Sequence, residues 1–342
     1  MRLRLGACSC ARRSHSSPPE AVVLYLSDDE AIRHIGPADA RRVVLGAMVA
    51  HCMGRASLSS PPGLTVEGGS DTRFHVKGAI LCSADVVGIR LGGFPVQDPD
   101  GERLMLLLLC DAHTSRPLAL IEFEGLSSIR VATAVAVCIE RLRASSARTL
   151  AVLGAGRLAR AAIAAIQALT PFEHVRVASR SVDSALRLQA SLSSDGVVGV
   201  VPATDPREAC AQADVILTLT SADQPLVSAA WCRPGSLLVS AGGRQECDPD
   251  AILGADSVFV DDWELCSRIG DIAPLCKSGR LTRDEIAGTI GEVLAGRIPG
   301  RRCDTDRIVA VPQGLAVLDV ALGHLALARA TEHGLGLSLP AR

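Results

Sequence analysis

The run Gly154-Ala155-Gly156-Arg157-Leu158-Ala159 sits between Thr149–Leu153, which reads as a buried strand, and an alanine-rich stretch with helical patterning. Phosphate chemistry needs that order. Gly154 permits a tight turn from strand to helix, Gly156 lets the backbone approach a pyrophosphate, and the small Ala159 lets the helix lie close to the strand. The helix start then offers unpaired N–H groups and a positive dipole end to the anion. Ala155, Arg157 and Leu158 complete the loop. Glycines at this spacing are common in an alanine-rich chain; their place between a strand and a helix makes this a dinucleotide site.

The end of the next strand separates two cofactors. NAD sites carry an acidic residue there for the ribose hydroxyls. This chain has Ser179-Arg180-Ser181, which would donate hydrogen bonds to a 2′-phosphate, Arg180 as a charge-assisted fork. NADP(H) is therefore the expected cofactor and NAD(H) the alternative. Further on, Asp214–Thr220 reads as the strand whose C-terminal end lies beside the cofactor. Thr218 and Thr220 either face the ribose and nicotinamide or simply fill the strand as β-branched residues.

These groups need a scaffold. From Thr149, strands near 149–153, 175–179, 213–219, 236–241 and 257–261 alternate with helices such as 157–169 and 182–193, the pattern of a doubly wound parallel sheet. Before it, strands near 74–81, 86–92, 104–111 and 117–123 follow one another without helices, which predicts an antiparallel or mixed sheet. Asp98-Pro99-Asp100-Gly101 and Ser115-Arg116-Pro117 are turn signals, and residues 57–70 read as loop or edge strand. A capped helix is expected at Ser27, with Glu30 three residues on, continuing through Ile32 and again from Pro37 toward Met53. Another helix is expected from Ser127 or Ser128 as cap to Arg143, and helical pattern returns at 282–296 and 314–333.

Composition narrows the function classes. One Tyr, two Trp and five Phe in 342 residues argue against base stacking on single-stranded nucleic acid. A net charge of -2 exerts no general pull on phosphate backbones or anionic lipid. The longest apolar run, Leu104–Cys110, is far shorter than the ~20 residues a membrane helix needs. Twelve cysteines are scattered without a CxxC or zinc spacing, so no metal site is expected and the thiols read as unligated, in a reducing cytoplasm. Residues 1–20, with Arg2, Arg4, Arg12 and Arg13 among Ser, Cys and Pro, read as a disordered extension or a start site set too far upstream; a secretory signal needs a longer apolar core.

Several stretches in order resemble the ornithine cyclodeaminase/mu-crystallin family of NAD(P)-dependent amino-acid and imine oxidoreductases. They are Ser128-Ile-Arg130-Val-Ala-Thr133-Ala, the Gly154 loop, Ala213–Thr220 and Arg233-Pro-Gly235. Within the family, Val258–Cys266, Gly296–Arg301 and Gly314–Asp319 are most similar to the dehydrogenases of 2,3-diaminopropionate formation in siderophore and antibiotic pathways. The resemblance implies an α/β fold: a Rossmann domain over 131–307, with an α+β substrate and dimerisation domain built from 21–130 and 308–342. It implies a homodimer that binds a small amino or imino acid over the nicotinamide. Arg130 matches the arginine that grips the substrate carboxylate, Gly314 a backbone contact near the nicotinamide, and Asp319 a carboxylate at the start of the last helix.

The departures bear on mechanism. Where the family has Gly-x-Lys, this chain has Gly88-Ile89-Arg90. Arg90 is suited to clamping a carboxylate and poorly suited to shuttling a proton, because arginine stays charged. His75 and Lys77, on the preceding strand, are the candidate replacements, and each also reads as a plain strand residue. Residues 61–66 lack the arginine that the family often places there, and Arg244 stands where cyclodeaminases have a catalytic aspartate, which argues against ring-closing deamination. Two readings follow: an enzyme acting on a C–N bond by imine reduction or its reverse, or a crystallin-like cofactor binder with little turnover.

Overall fold

The structure, a computed structural model, describes residues 22–68, 72–95, 103–222 and 224–340. The expected extension over 1–20 and the turn at Asp98–Gly101 lie outside the described residues.

The chain opens with strand β1 (Val22–Leu26) and helices α1 (Asp28–Ile32) and α2 (Pro37–Cys52). Ser27 and Glu30 form the expected capping box, the Ser27 amide donating to Glu30 Oε2 at 3.1 Å. Six strands follow: β2 (Ala56–Leu58), β3 (Leu64–Gly68), β4 (Thr72–Leu81), β5 (Val86–Pro95), β6 (Leu104–Asp111) and β7 (Pro117–Glu122). Antiparallel pairing runs β7-β6-β5-β4-β2, β3 adds to β4, and β1 joins β7 in parallel. Alternation decides what each face holds. Met105, Leu107 and Leu109 are buried on one side of β6, whereas Leu104 on the other side is 43% exposed.

Helix α3 (Glu124–Leu142) leads to the second sheet. It starts earlier than Ser127: Asp28 Oδ1 accepts the Gly125 amide at 2.7 Å, so α1 supplies the missing cap from outside the local sequence. Ser127 and Ser128 are therefore interior, and Ser128 Oγ donates back to the Glu124 carbonyl at 3.1 Å.

The second sheet is parallel. In chain order come β8 (Thr149–Leu153), α4 (Arg157–Leu169), β9 (His174–Ala178), α5 (Val182–Ser194), β10 (Val200–Ala203) and α6 (Pro206–Ala211). Then follow β11 (Val215–Thr218), β12 (Leu237–Ser240), α7 (Pro249–Leu253), β13 (Ser257–Val260), α8 (Trp263–Cys266) and α9 (Ala273–Lys277). The unit closes with β14 (Gly288–Thr289), α10 (Ile290–Leu294) and β15 (Ile308–Val311). Spatial order is β10-β9-β8-β11-β12-β15-β13-β14. Every residue of β11, β12 and β15 is buried, as in a sheet covered on both faces. Two details differ from expectation. The helix expected over 282–296 is broken by successive capping boxes at Thr282/Glu285 and Thr289/Glu292. Residues 308–311 pair with β12 and β13, so the chain leaves the Rossmann sheet after Val311 and not at 308.

The return segment is α11 (Ala316–His333) and β16 (Leu337–Pro340), which pairs with β1. Helix α11 lies against β4, β5 and β6. Its approach explains Gly88, where a Cβ would stand 2.6 Å from Val320 Cγ2. The other face of this sheet carries Ile80, Ile89 and Leu104, each at least 40% exposed.

Candidate active site

The C-terminal ends of the parallel strands meet the helix-covered face of the first sheet. Strand alternation puts Lys77 on the same face of β4 as the buried Ala79 and Leu81, and Arg90 on the same face of β5 as Val86 and Gly88. Lys77 and Arg90 stand directly opposite in the antiparallel register. Arg130, on α3, and Asp319, on α11, reach the same point. Asp319 Oδ1 accepts Arg130 Nε at 2.8 Å, and its Oδ2 lies 3.2 Å from Arg90 Nε as an ion pair without a hydrogen bond. Arg90, Arg130 and Asp319 are all less than 9% exposed. Among the described residues, the terminal nitrogens of the two arginines donate to no protein acceptor. Two forks are thus held from behind by one carboxylate with their open ends unspent.

Gly314 joins the two sheets at this point. Its amide donates to Asp261 Oδ2 at 2.6 Å, and its carbonyl accepts Lys77 Nζ at 3.2 Å. Its φ is +88°, and a Cβ there would stand 2.2 Å from Arg130 Nη1, so any side chain would strain the backbone and displace the arginine. Asp261 also accepts its neighbour's amide and the Cys266 thiol; burial raises its carboxyl above the usual range. Burial lowers the Lys77 amine to about 8, helped by the charges of Arg90 and Arg130. Of the two candidate proton carriers on β4, Lys77 therefore lies among Arg90, Arg130, Asp319 and Gly314. His75 faces Thr65 instead, with Nδ1 3.1 Å from Thr65 Oγ1.

The phosphate loop has the geometry its sequence calls for. Gly154 adopts φ +120° and touches the Leu219 carbonyl, where a Cβ would come within 2.3 Å. Gly156 caps α4, and nothing lies within 4 Å of where its Cβ would stand. This open cradle at the start of a 13-residue helix fits a dinucleotide pyrophosphate. Around it, Leu158 packs on the core, Arg157 pairs with Glu124, and Ala155, Gly156 and Arg157 line a cavity of about 240 Å³ that reaches Ser184 and Arg187 on α5. At the end of β9, Ser179 Oγ donates to the Ser181 carbonyl at 2.6 Å, Ser181 caps α5, and Arg180 is exposed.

Thr218 and Thr220 lie beside the loop, with their hydroxyls directed to a carboxylate that sequence reasoning missed. Glu246 accepts Thr218 Oγ1 at 2.7 Å, the Thr220 amide at 2.5 Å and Thr220 Oγ1 at 2.6 Å, and also the Gly242 amide at 2.9 Å. Its own amide is held by Asp271 Oδ1 at 2.6 Å. Burial raises the Glu246 carboxyl above its ordinary range. The threonines therefore brace the loop ends against each other. The available signal was an acidic residue shortly after the glycine pair 242–243, two positions beyond Arg244. Asp261 was quoted only as part of a motif; its signal was an acid closing a fully apolar strand.

The pattern of the ornithine cyclodeaminase/mu-crystallin family matches residues 66–333, and the chain belongs to that family. It is 30% identical over 236 residues to the uncharacterized cyclodeaminase y4tK of Sinorhizobium fredii, covering 68% of this chain and 71% of the relative. It is 24% identical over 245 residues to N-((2S)-2-amino-2-carboxyethyl)-L-glutamate dehydrogenase of Staphylococcus aureus, covering 68% and 70%. Among solved structures, the Δ1-pyrroline-2-carboxylate reductase of Thermococcus litoralis in complex with NADH and L-proline superposes with a TM-score of 0.87 at 22% identity, over 93% of this chain and 100% of that one. An archaeal alanine dehydrogenase dimer with bound NAD gives 0.86 at 23% identity, over 93% and 99%. At these identities the structural likeness shows the fold.

Replacing Asp319 by Asn keeps its shape and removes the charge between two buried guanidinium groups. The expected loss of unfolding free energy is about 3–5 kcal/mol, read from urea denaturation. A loss below ~1 kcal/mol would mean that solvent or substrate groups, and not Asp319, satisfy the arginines.

Proposed function

We propose that the protein is an NAD(P)-dependent oxidoreductase that acts on the C–N bond of an amino or imino acid, reducing an imine or running the reverse oxidation. The carrying observation is the pair of buried arginine forks held from behind by Asp319, beside an open phosphate cradle. A guanidinium fork fits a carboxylate in bidentate fashion. Arg130 and Arg90 would orient the substrate through its carboxylates, and two forks favour a substrate with more than one. Precursors of 2,3-diaminopropionate belong to that class. The bound cofactor supplies a hydride; the chain's contribution is to fix the substrate over it and to exclude water. The exchange of the Gly-x-Lys lysine for Arg90 favours a second reading, a cofactor binder with little turnover.

Purified protein with NADPH and either Δ1-pyrroline-2-carboxylate or α-keto acids plus amines separates the two. Absorbance at the nicotinamide band should fall, fastest with dicarboxylic keto acids such as 2-oxoglutarate. No loss with any of them, while NADPH still protects the protein from heat, supports the binder.

The cofactor is NADP(H) in this reading, with Arg180 and Ser179 at the 2′-phosphate. Arg180→Ala should weaken NADPH binding at least tenfold and change NADH binding less than twofold; equal losses for both would overturn the preference.

The uncovered sheet face with Ile80, Ile89 and Leu104 is the surface proposed to meet a second copy, since exposed apolar patches of this kind mark interfaces. Sedimentation of the wild type should give twice the chain mass of 35.6 kDa, and Ile89→Arg should give a monomer. A monomeric wild type would exclude the dimer. The described cysteines are all free thiols, which supports a reducing compartment such as the cytoplasm.

A further inference from the structure

Only two lysines, Lys77 and Lys277, occur among the 35 basic residues of Lys and Arg type. In a chain that otherwise uses arginine for positive charge, one of the two lies beside the buried arginines, opposite Arg90 across the β4–β5 pair. Its Nζ is held on the Gly314 carbonyl at 3.2 Å. The carbonyl takes one of the three ammonium protons and leaves two for a ligand. The groups facing the amine come from every element around it: Arg90 on β5, Arg130 on α3, Asp319 on α11 and Asp261 after β13. Like charges directly opposite on neighbouring strands disfavour the sheet, so stability gives no reason for a lysine here.

We propose that Lys77 is the catalytic acid of the imine reduction, the proton carrier having moved from β5 to the facing position on β4. The inference rests on the imine-reduction reading above. As the imine carbon accepts the hydride, the π pair of the C=N bond passes to nitrogen, which bonds to a proton released from Lys77 Nζ. The products are the amine, the oxidised cofactor and a neutral Lys77, which regains its proton from water. In the reverse direction, neutral Lys77 takes the amine proton as hydride leaves the carbon. Arg90, always charged, serves only to hold carboxylate.

Burial and the two arginines favour the neutral amine, so Lys77 loses its proton near pH 8 and not near 10.5. Reduction requires the protonated form. Its kcat/KM should hold below pH 8 and fall tenfold per pH unit above it, while oxidation should rise through the same pH. Lys77→Arg keeps the charge and a donor for Gly314 but cannot release a proton; Lys77→Met keeps the bulk alone. Each should lower kcat at least 100-fold with NADPH binding unchanged, and the limb near pH 8 should vanish. A purely structural lysine would be rescued by arginine, and that rescue would overturn the proposal.

A second readout does not depend on turnover. With two lysines in the chain, protein labelled with 13C at lysine Cε gives two signals, assigned by Lys77→Arg. The Lys77 signal should titrate near pH 8, well below the ordinary lysine value of about 10.4. If the Lys77 signal titrates above pH 10, the proposal fails even where imine reduction is observed. If no imine is reduced by the wild type yet Lys77 titrates near 8, the imine reading fails while the tuned amine stands.

Discussion

One buried carboxylate between two buried guanidinium groups sets the terms for the rest of the molecule. Asp319 is 1% exposed, and it is the shared counter-charge of Arg90 and Arg130. Ions in such a place are tolerated only when paired and well surrounded. The three residues come from a strand, the second turn of α3 and the first turn of α11, so all three elements must be fixed before the site exists. Gly88 allows α11 to settle on β5 by leaving room for Val320, and Asp28 caps α3 from another helix. These contacts look remote from chemistry, yet they set the separation of the two arginines.

Gly314 transmits this arrangement to the cofactor half. Its amide and carbonyl are spent on Asp261 and Lys77, groups belonging to opposite sheets. A residue with φ +88° that has no room for a Cβ is the cheapest join available, because a side chain would push Arg130 from its carboxylate. Glu246 does the equivalent work one strand further on, tying the ends of β11 and β12 so that Thr220 and Gly242 stay in register beside the phosphate loop. Both carboxylates are buried and both are raised by that burial, and each is satisfied by several protein donors, backbone amides among them.

The cofactor half was legible in the sequence because its signals are local. Gly154 and Gly156 announce a turn whose physics needs only the adjacent strand and helix, and five strands were placed within two residues of where they lie. Errors came where a partner remote in sequence decides the outcome. The start of α3 depends on Asp28, 97 positions away, and the sheet membership of 308–311 depends on β12 and β13. In the site itself, Arg130, Arg90, Asp319 and Gly314 lie together. The weight of Lys77 over His75 was not visible, since both share the inward face of β4 and only the third dimension separates a pocket from the edge beside β3.

That distinction also explains how the substrate half can depart from the family pattern without losing its logic. Positions 77 and 90 are direct partners across an antiparallel pair, with Cβ atoms ~5 Å apart. A lysine on one strand and an arginine on the other fill the same volume whichever carries which. The substitution that takes the lysine from β5 therefore leaves a lysine at the facing position of β4, directly across from Arg90. Read along the chain, Gly-x-Arg is a loss. Read across the sheet, a lysine still faces position 90, and the register of two strands makes the difference.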